Sequence, residues 1–302
     1  VAPLAAGWLT DTFGWRWVFL GMVPLAVVVP VLVTTRLARL PRLPDFAGER
    51  RAPSRVPAAL RLTVGAGLVL AGLPLGRIEL ALPLIVAGVA LGARPLLRLW
   101  PAGWTHAAVG LPAAIAARMC ATAAFGGVDA FVPLAAERVH GVGATAQGFV
   151  IIGAALTWTF GQVIAARLVD TVPTSRLVRV GFAVLALGAV LVAPVVSDRT
   201  PLWAVFFAWS VGGLGMGLLF NPTTVVALGS VHEGESGRVS SQLSMADALG
   251  FASTNAIGGG LVAASERGTF ALSTALLASF ATTVAVAGLG FVIAGRVIRR
   301  QG

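Results

Sequence analysis

The chain has 302 residues, 57% of them hydrophobic and only 11% charged, with a formal charge of +10 and a mean hydropathy of +0.89. Charge this scarce, with every basic residue an Arg, excludes an ordinary soluble domain. It also excludes a nucleic-acid reader, which needs a basic face on a soluble body; here the arginines gather in the breaks between long apolar stretches.

A helix needs roughly 20 apolar residues to cross a ~30 Å hydrocarbon layer. In chain order, residues 1–9 form a stub too short to span by itself, and a turn at 10–14 leads to a helix at about 17–33. Residues 34–61 carry seven Arg and four Pro, a density that rules out a spanning helix and marks a linker. Two shorter apolar segments follow at about 62–76 and 80–93, near the lower length limit. Longer spans are read at about 111–136, 145–168, 177–196, 201–228, 239–264 and 270–297. Their connecting loops are short, so successive helices are antiparallel neighbours. The fold class is all-α, a polytopic membrane helix bundle with about eight membrane helices.

Arg16, Arg77, Arg138, Arg199 and Arg267 fall on one side of the membrane, Arg118 lies within it, and the remaining sixteen arginines fall on the other side. The positive-inside rule places those sixteen, with the linker and the C-terminus, in the cytoplasm. Trp15, Trp17 and Trp203 then sit at the outer interface, and Trp100 and Trp104 at the inner one.

Intramembrane carboxylates are costly and usually mark an ion or substrate path. Asp129 lies in the outer third of its helix, where it either takes up and releases a proton or pairs with a neighbouring helix. Arg118 is on nearly the same face but about 16 Å away at 1.5 Å per residue, so the two cannot meet. Arg118 is a third candidate for proton coupling or transport; less than two turns from the helix start, it is expected to snorkel to the cytoplasmic interface. Ser240, Ser244, Asp247, Phe251, Thr254 and Gly258 follow a narrow stripe at helical spacing. That stripe faces protein or a cavity, carrying either proton coupling at Asp247 or interhelical hydrogen bonding. Gln242 and Asn255 flank it as substrate-pathway candidates.

Gly213 and Gly217 form a small-xxx-small pair ahead of Asn221 and Pro222, a pattern for close packing and for a bending gate helix. Trp158, Phe160, Trp209 and Phe220 are mid-span aromatics that either line a ligand pocket or fill the core. Cys120 stands alone, so no disulfide or thiolate metal site is expected. His106, His140 and His232 fall in loops and read as solvated. Nothing stands out as a nucleotide or hydrolase motif, and neither an enzymatic role nor a cofactor is read.

The run Ala2-Pro3-Leu4-Ala5-Ala6-Gly7-Trp8-Leu9-Thr10-Asp11, followed by Trp15-Arg16-Trp17-Val18-Phe19, resembles a junction in major facilitator superfamily drug:proton antiporters of the fourteen-spanner branch. There the antiporter motif ends Gly-Pro-x-x-Gly-Gly at the fifth helix. Pro3 and Gly7 match it, and Ala2 and Ala6 replace the other glycines. The runs 125–134, 212–217 and 241–247 are similar to later helices of that family. Its loop signature is eroded after Leu168, with Ala166 and Pro173 at two Gly positions and Asp170 kept.

The resemblance implies four regions: 1–33, the last two helices of a first half; 34–61, the linker; 62–106, an accessory helix pair; and 107–302, a six-helix second half. It implies proton-coupled efflux of small amphipathic compounds by alternating access in the cell membrane. The expected partners are the lipid bilayer, protons, a small-molecule substrate and the missing N-terminal helices of the same carrier, with no nucleic acid. By itself the chain is expected not to transport. A carrier for another solute, such as a sugar, peptide or siderophore, and a non-transporting membrane remnant or scaffold stay open.

Overall fold

A computed structural model describes residues 2–37, 56–231 and 233–298 of the chain. Eleven α-helices make up the regular structure of these residues, apart from four short 3₁₀ turns. They are α1 (Ala2–Phe13), α2 (Trp15–Leu37), α3 (Val56–Gly72), α4 (Ile78–Leu99), α5 (Leu111–Asp129), α6 (Phe131–His140), α7 (Ala144–Leu168), α8 (Thr174–Val192), α9 (Leu202–Leu228), α10 (Ser236–Glu266) and α11 (Leu272–Ala294). Among the described residues, eight segments are long and apolar enough to cross a membrane, matching the expected total of about eight but not the span read at 239–264, which falls in α10. The 31-residue α10, the most polar of the long helices, is not among them, and α1 is too short.

Small residues set the helix contacts. In α9, Gly213 and Gly217 face α7, while Gly212 and Gly215 face α8. A Cβ on Gly217 would lie 2.8 Å from the Gly161 Cα of α7, and one on Gly215 would lie 2.7 Å from the Gly181 carbonyl of α8. Backbones approach this closely only where no side chain intervenes, so α9 is clamped between its two neighbours. The helix runs unbroken through Asn221 and the buried Pro222. At the start of the chain, Gly148 of α7 meets the Pro3 backbone, and Gly7 meets Ala144 and Thr145. In the α3–α4 hairpin, a Cβ on Gly65 would lie 2.8 Å from the Gly92 Cα.

Several boundaries differ from the sequence reading. The span expected at 111–136 breaks after Asp129 into α5 and α6, with Pro112 in the first turn of α5, where no amide donor is needed. The linker is shorter at both ends than 34–61. The α2 helix continues to Leu37, and α3 begins at Val56 with Pro57 in its first turn and Arg61 inside the helix. The α4 helix reaches Leu99 because Arg94 and Arg98 hold their charges on its exposed face while Pro95 is buried. Residues 38–55, His232, Arg299 and Arg300 lie outside the described residues. Trp100 does not join an interfacial belt: it is buried, stacks edge-on against Trp104 and donates to the Met245 sulfur at 3.4 Å. His140 is the last residue of α6, and its ring lies 2.9 Å from the Val195 carbonyl rather than free in solvent.

Candidate functional site

The helices α5 and α10 run side by side in parallel. Thr254 donates to the Ala123 carbonyl at 2.7 Å, Gly250 packs on Thr122 and Ala123, Phe251 covers Gly126, and Gly258 meets Phe131. Asp247 lies one turn before these contacts. The stripe read on α10 is therefore a helix–helix seam from Asp247 onward. Its first two members leave that seam: Ser240 and Ser244 are exposed, and Ser244 turns toward α3.

Arg118 does not snorkel. Its side chain is only 6% exposed and binds Asp247 with two hydrogen bonds, Nε to Oδ1 at 2.6 Å and Nη2 to Oδ2 at 3.0 Å. Its Nη1 donates to the Phe220 carbonyl at 3.0 Å and to the Thr224 hydroxyl at 2.8 Å, both on α9. The guanidinium also lies over the Phe220 ring, 3.1 Å from its centroid. An opposite charge at matching depth on the adjacent helix satisfies the guanidinium inside the membrane, so it has no need to reach the surface. Three helices thus converge on one charged centre, tied by a side-on, two-bond arginine–carboxylate contact, the strong form of such a pair.

From Phe220 an aromatic row leads outward. Its ring meets Trp158 edge-on at 5.2 Å, Trp158 meets Phe125 at 5.0 Å, and Phe125 stacks on Trp209 at 5.1 Å. Trp209 Nε1 then donates to Asp129 Oδ1 at 2.9 Å. The row joins the two acidic candidates, Asp247 and Asp129, by unbroken side-chain contact across α5, α7 and α9. Trp209 is fully buried, which gives it a positioning role at Asp129 rather than an open ligand face. Trp158 is half-buried, and its Nε1 has no hydrogen-bond partner among the described residues. The same holds for Asn255 Oδ1. Phe160 is exposed on the outside of α7. Gln242 is buried and donates to the Leu99 carbonyl at 2.6 Å, away from Asp247.

Phe125 and Thr224 belong to this assembly and were not read as site residues from the sequence. A third contact joins the start of the chain to the rest. The Asp11 carboxylate accepts hydrogen bonds from the Ala144 amide at 3.0 Å, the Thr145 amide at 2.8 Å and the Thr145 hydroxyl at 2.7 Å. It thereby caps the N-terminus of α7 from another helix. The Thr145 hydroxyl first, then the two amides, hold its carboxyl below the usual Asp range.

Residues 1–255 match the family model described as Major Facilitator Superfamily. Over 306 residues the chain is 26% identical to a protein named "Probable multidrug-efflux transporter" from Mycobacterium tuberculosis strain ATCC 25618 / H37Rv, covering 96% of this chain and 64% of that protein. The counterpart of the same name in strain CDC 1551 / Oshkosh matches with the same figures. An "Uncharacterized MFS-type transporter" of strain H37Rv is 30% identical over 182 residues, 55% of this chain and 26% of that protein. The chain thus spans about two thirds of the length of the first two relatives, 64% in each case.

Proposed function

The chain belongs to the Major Facilitator Superfamily and is a multi-pass membrane protein, and on that premise we propose that it forms part of a proton-coupled efflux carrier for small amphipathic compounds. The proposal includes the fourteen-spanner antiporter arrangement, a place in the cell membrane, and a cytoplasmic side bearing the Arg-rich linker and the C-terminus. Further helices of the same carrier supply the opposite wall of the pathway.

The observation that carries the reading is the Arg118–Asp247 pair, buried at the junction of α5, α9 and α10. A proton placed on Asp247 removes the negative charge and weakens two charge-assisted hydrogen bonds at once. Arg118 keeps its α9 partners, Phe220 and Thr224, so the change falls on the tie to α10. Loss of the proton restores it. A carboxylate whose protonation loosens one helix against two others gives alternating access a two-state element to bias. Asp129 is the second proton candidate, held by Trp209 at the far end of the aromatic row. Trp158 Nε1 and Asn255 Oδ1 are buried and without a partner among the described residues, so a substrate would reach them only when the helices around them part.

The test is movement of a fluorescent amphipathic cation in proteoliposomes of the carrier under an imposed pH gradient. The reading expects transport that follows the gradient and collapses with a protonophore. Transport indifferent to the gradient would remove the coupling role; transport of a sugar or peptide in its place would assign a different solute.

A further inference from the structure

Through the hairpin turn α3 meets α10 at one end and parts from it at the other, where α4 alone stays in contact through Leu99. Near the outer end, the turn at Leu73–Leu75 rests beside Gly260, and Arg267 donates to the Pro74 carbonyl at 3.2 Å. Toward the Arg-rich end the two separate around a cavity of about 910 Å³. Its walls include Ala59, Ala66 and Leu70 of α3 and Arg238, Gln242 and Ala248 of α10. From Gly237 to Ala252, the α10 lining extends about 22 Å at 1.5 Å per residue. That depth matches one leaflet of a ~30 Å hydrocarbon core plus its headgroup layer.

Arg238, Ser241 and Gln242 stand toward the Arg-rich mouth of the crevice, with Thr63 and Ser244 as the polar groups further in. Gln242 is only 5% exposed; its amide nitrogen is used on Leu99, and its Oε1 has no partner among the described residues. Arg238 gives one Nη2 bond to Glu235, while its buried Nε has no partner there. Arg61, Arg94 and Arg98 line a separate cleft of about 380 Å³ at the same end of the hairpin. A largely apolar slot one leaflet deep, ending in an arginine whose Nε is unused beside its ion pair with Glu235 and in an unused amide acceptor, is complementary to a lipid with an acyl tail, an anionic phosphate and a hydroxyl.

We propose that the crevice between α3 and α10 is a binding site for an anionic glycerophospholipid, with one acyl tail in the slot and the headgroup at Arg238 and Gln242. The site fastens α3 to the transport helices through lipid at the end where, of the hairpin, only α4 reaches α10, by the Gln242–Leu99 hydrogen bond. It rests on the membrane placement of the helices and not on the efflux reading, so either can fail alone.

The experiment is native mass spectrometry of the purified 302-residue chain, released from bilayers with equal amounts of dioleoyl phosphatidylglycerol and dioleoyl phosphatidylcholine. One retained phosphatidylglycerol is expected, favoured roughly fivefold, the effect of one Arg facing an anionic headgroup. Arg238→Gln should erase that preference. Ala66→Phe and Ala248→Phe, which fill the slot, should lower retention of both lipids while thermal unfolding stays near that of the unaltered chain. Equal retention of the two lipids by the unaltered chain would overturn the proposal, as would undiminished retention in folded slot-filling variants. So would photolabelling of Ala66 or Ala248 by an amphipathic cation but not by a photoreactive phosphatidylglycerol, which would reassign the crevice to a transported compound.

Discussion

Replacing Arg118 with Met removes the guanidinium but keeps an unbranched side chain of similar reach in the core of α5. Asp247 then loses both hydrogen bonds to Arg118, and no other donor to it occurs among the described hydrogen bonds. Breaking a buried pair from one side costs about 3–5 kcal/mol, and the lower end applies because Asp247 is 26% exposed and part of its charge stays hydrated. Asp247→Asn is milder: the amide oxygen still accepts from Arg118, and the guanidinium keeps Phe220 and Thr224, so roughly 1.5–3 kcal/mol is expected. The double variant Arg118→Met/Asp247→Leu leaves no stranded charge and should recover about 1–4 kcal/mol relative to Arg118→Met alone. Cys120, buried two residues from Arg118, supplies the assay, since a thiol-reactive fluorogenic dye reaches it only as the bundle opens. The expected order of unfolding temperature is unaltered chain, then Asp247→Asn, with Arg118→Met lowest and the double variant above it. An Arg118→Met protein as stable as the unaltered chain would refute the reasoning, as would a double variant less stable than both single ones.

Gly217→Val places side-chain carbons against the backbone of Gly161 and Trp158, where overpacking costs about 1–3 kcal/mol or more. Gly288→Ala, which meets open space, should instead be neutral or stabilising by roughly 0.4–1 kcal/mol, and the two are compared by unfolding temperature. Asp11→Ala should speed hydrogen exchange at the Ala144 and Thr145 amides. Because the Asp11 carboxyl is held below its ordinary value, its contribution is present above the ordinary Asp range and is lost as pH falls through the lowered value. In the unaltered chain the protection of those two amides, taken relative to their intrinsic exchange rate at each pH, should therefore fall only in acid, and unchanged protection in the variant at neutral pH would remove the cap. A cysteine at Ser54, with Cys120 replaced by Ala, should resist impermeant thiol reagents in intact cells; ready labelling from outside would reverse the orientation.

Although the span read at 239–264 falls in α10, the most polar of the long helices, the membrane class and the all-helical fold were legible in the sequence because both depend on local composition and on spacing along one helix. The Arg118–Asp247 pair was not, since 129 residues separate its partners. A signal existed: both residues lie a similar distance inside helices that start on the same side. Treating Arg118 alone made snorkelling the cheapest solution, whereas an opposite charge at equal depth is cheaper still. The break after Asp129 was hidden because Ala130 continues the apolar run and its amide still bonds back to Gly126. Ser240 and Ser244 share the helical face of Asp247, yet α3 leaves the crevice open beside Ser244. Helical periodicity names a face, and only the neighbour's position decides how far along that face the contact lasts.

Asp247→Asn in proteoliposomes of the complete carrier separates proton coupling from binding most directly, because the amide copies the protonated carboxyl in size but cannot release a proton. Two fluxes are measured side by side: substrate movement driven by a pH gradient, and gradient-free exchange of labelled for unlabelled substrate. The account predicts that gradient-driven movement is abolished while binding and exchange persist. Gradient-driven movement at the unaltered rate in Asp247→Asn would contradict it and leave the Arg118–Asp247 pair a structural tie.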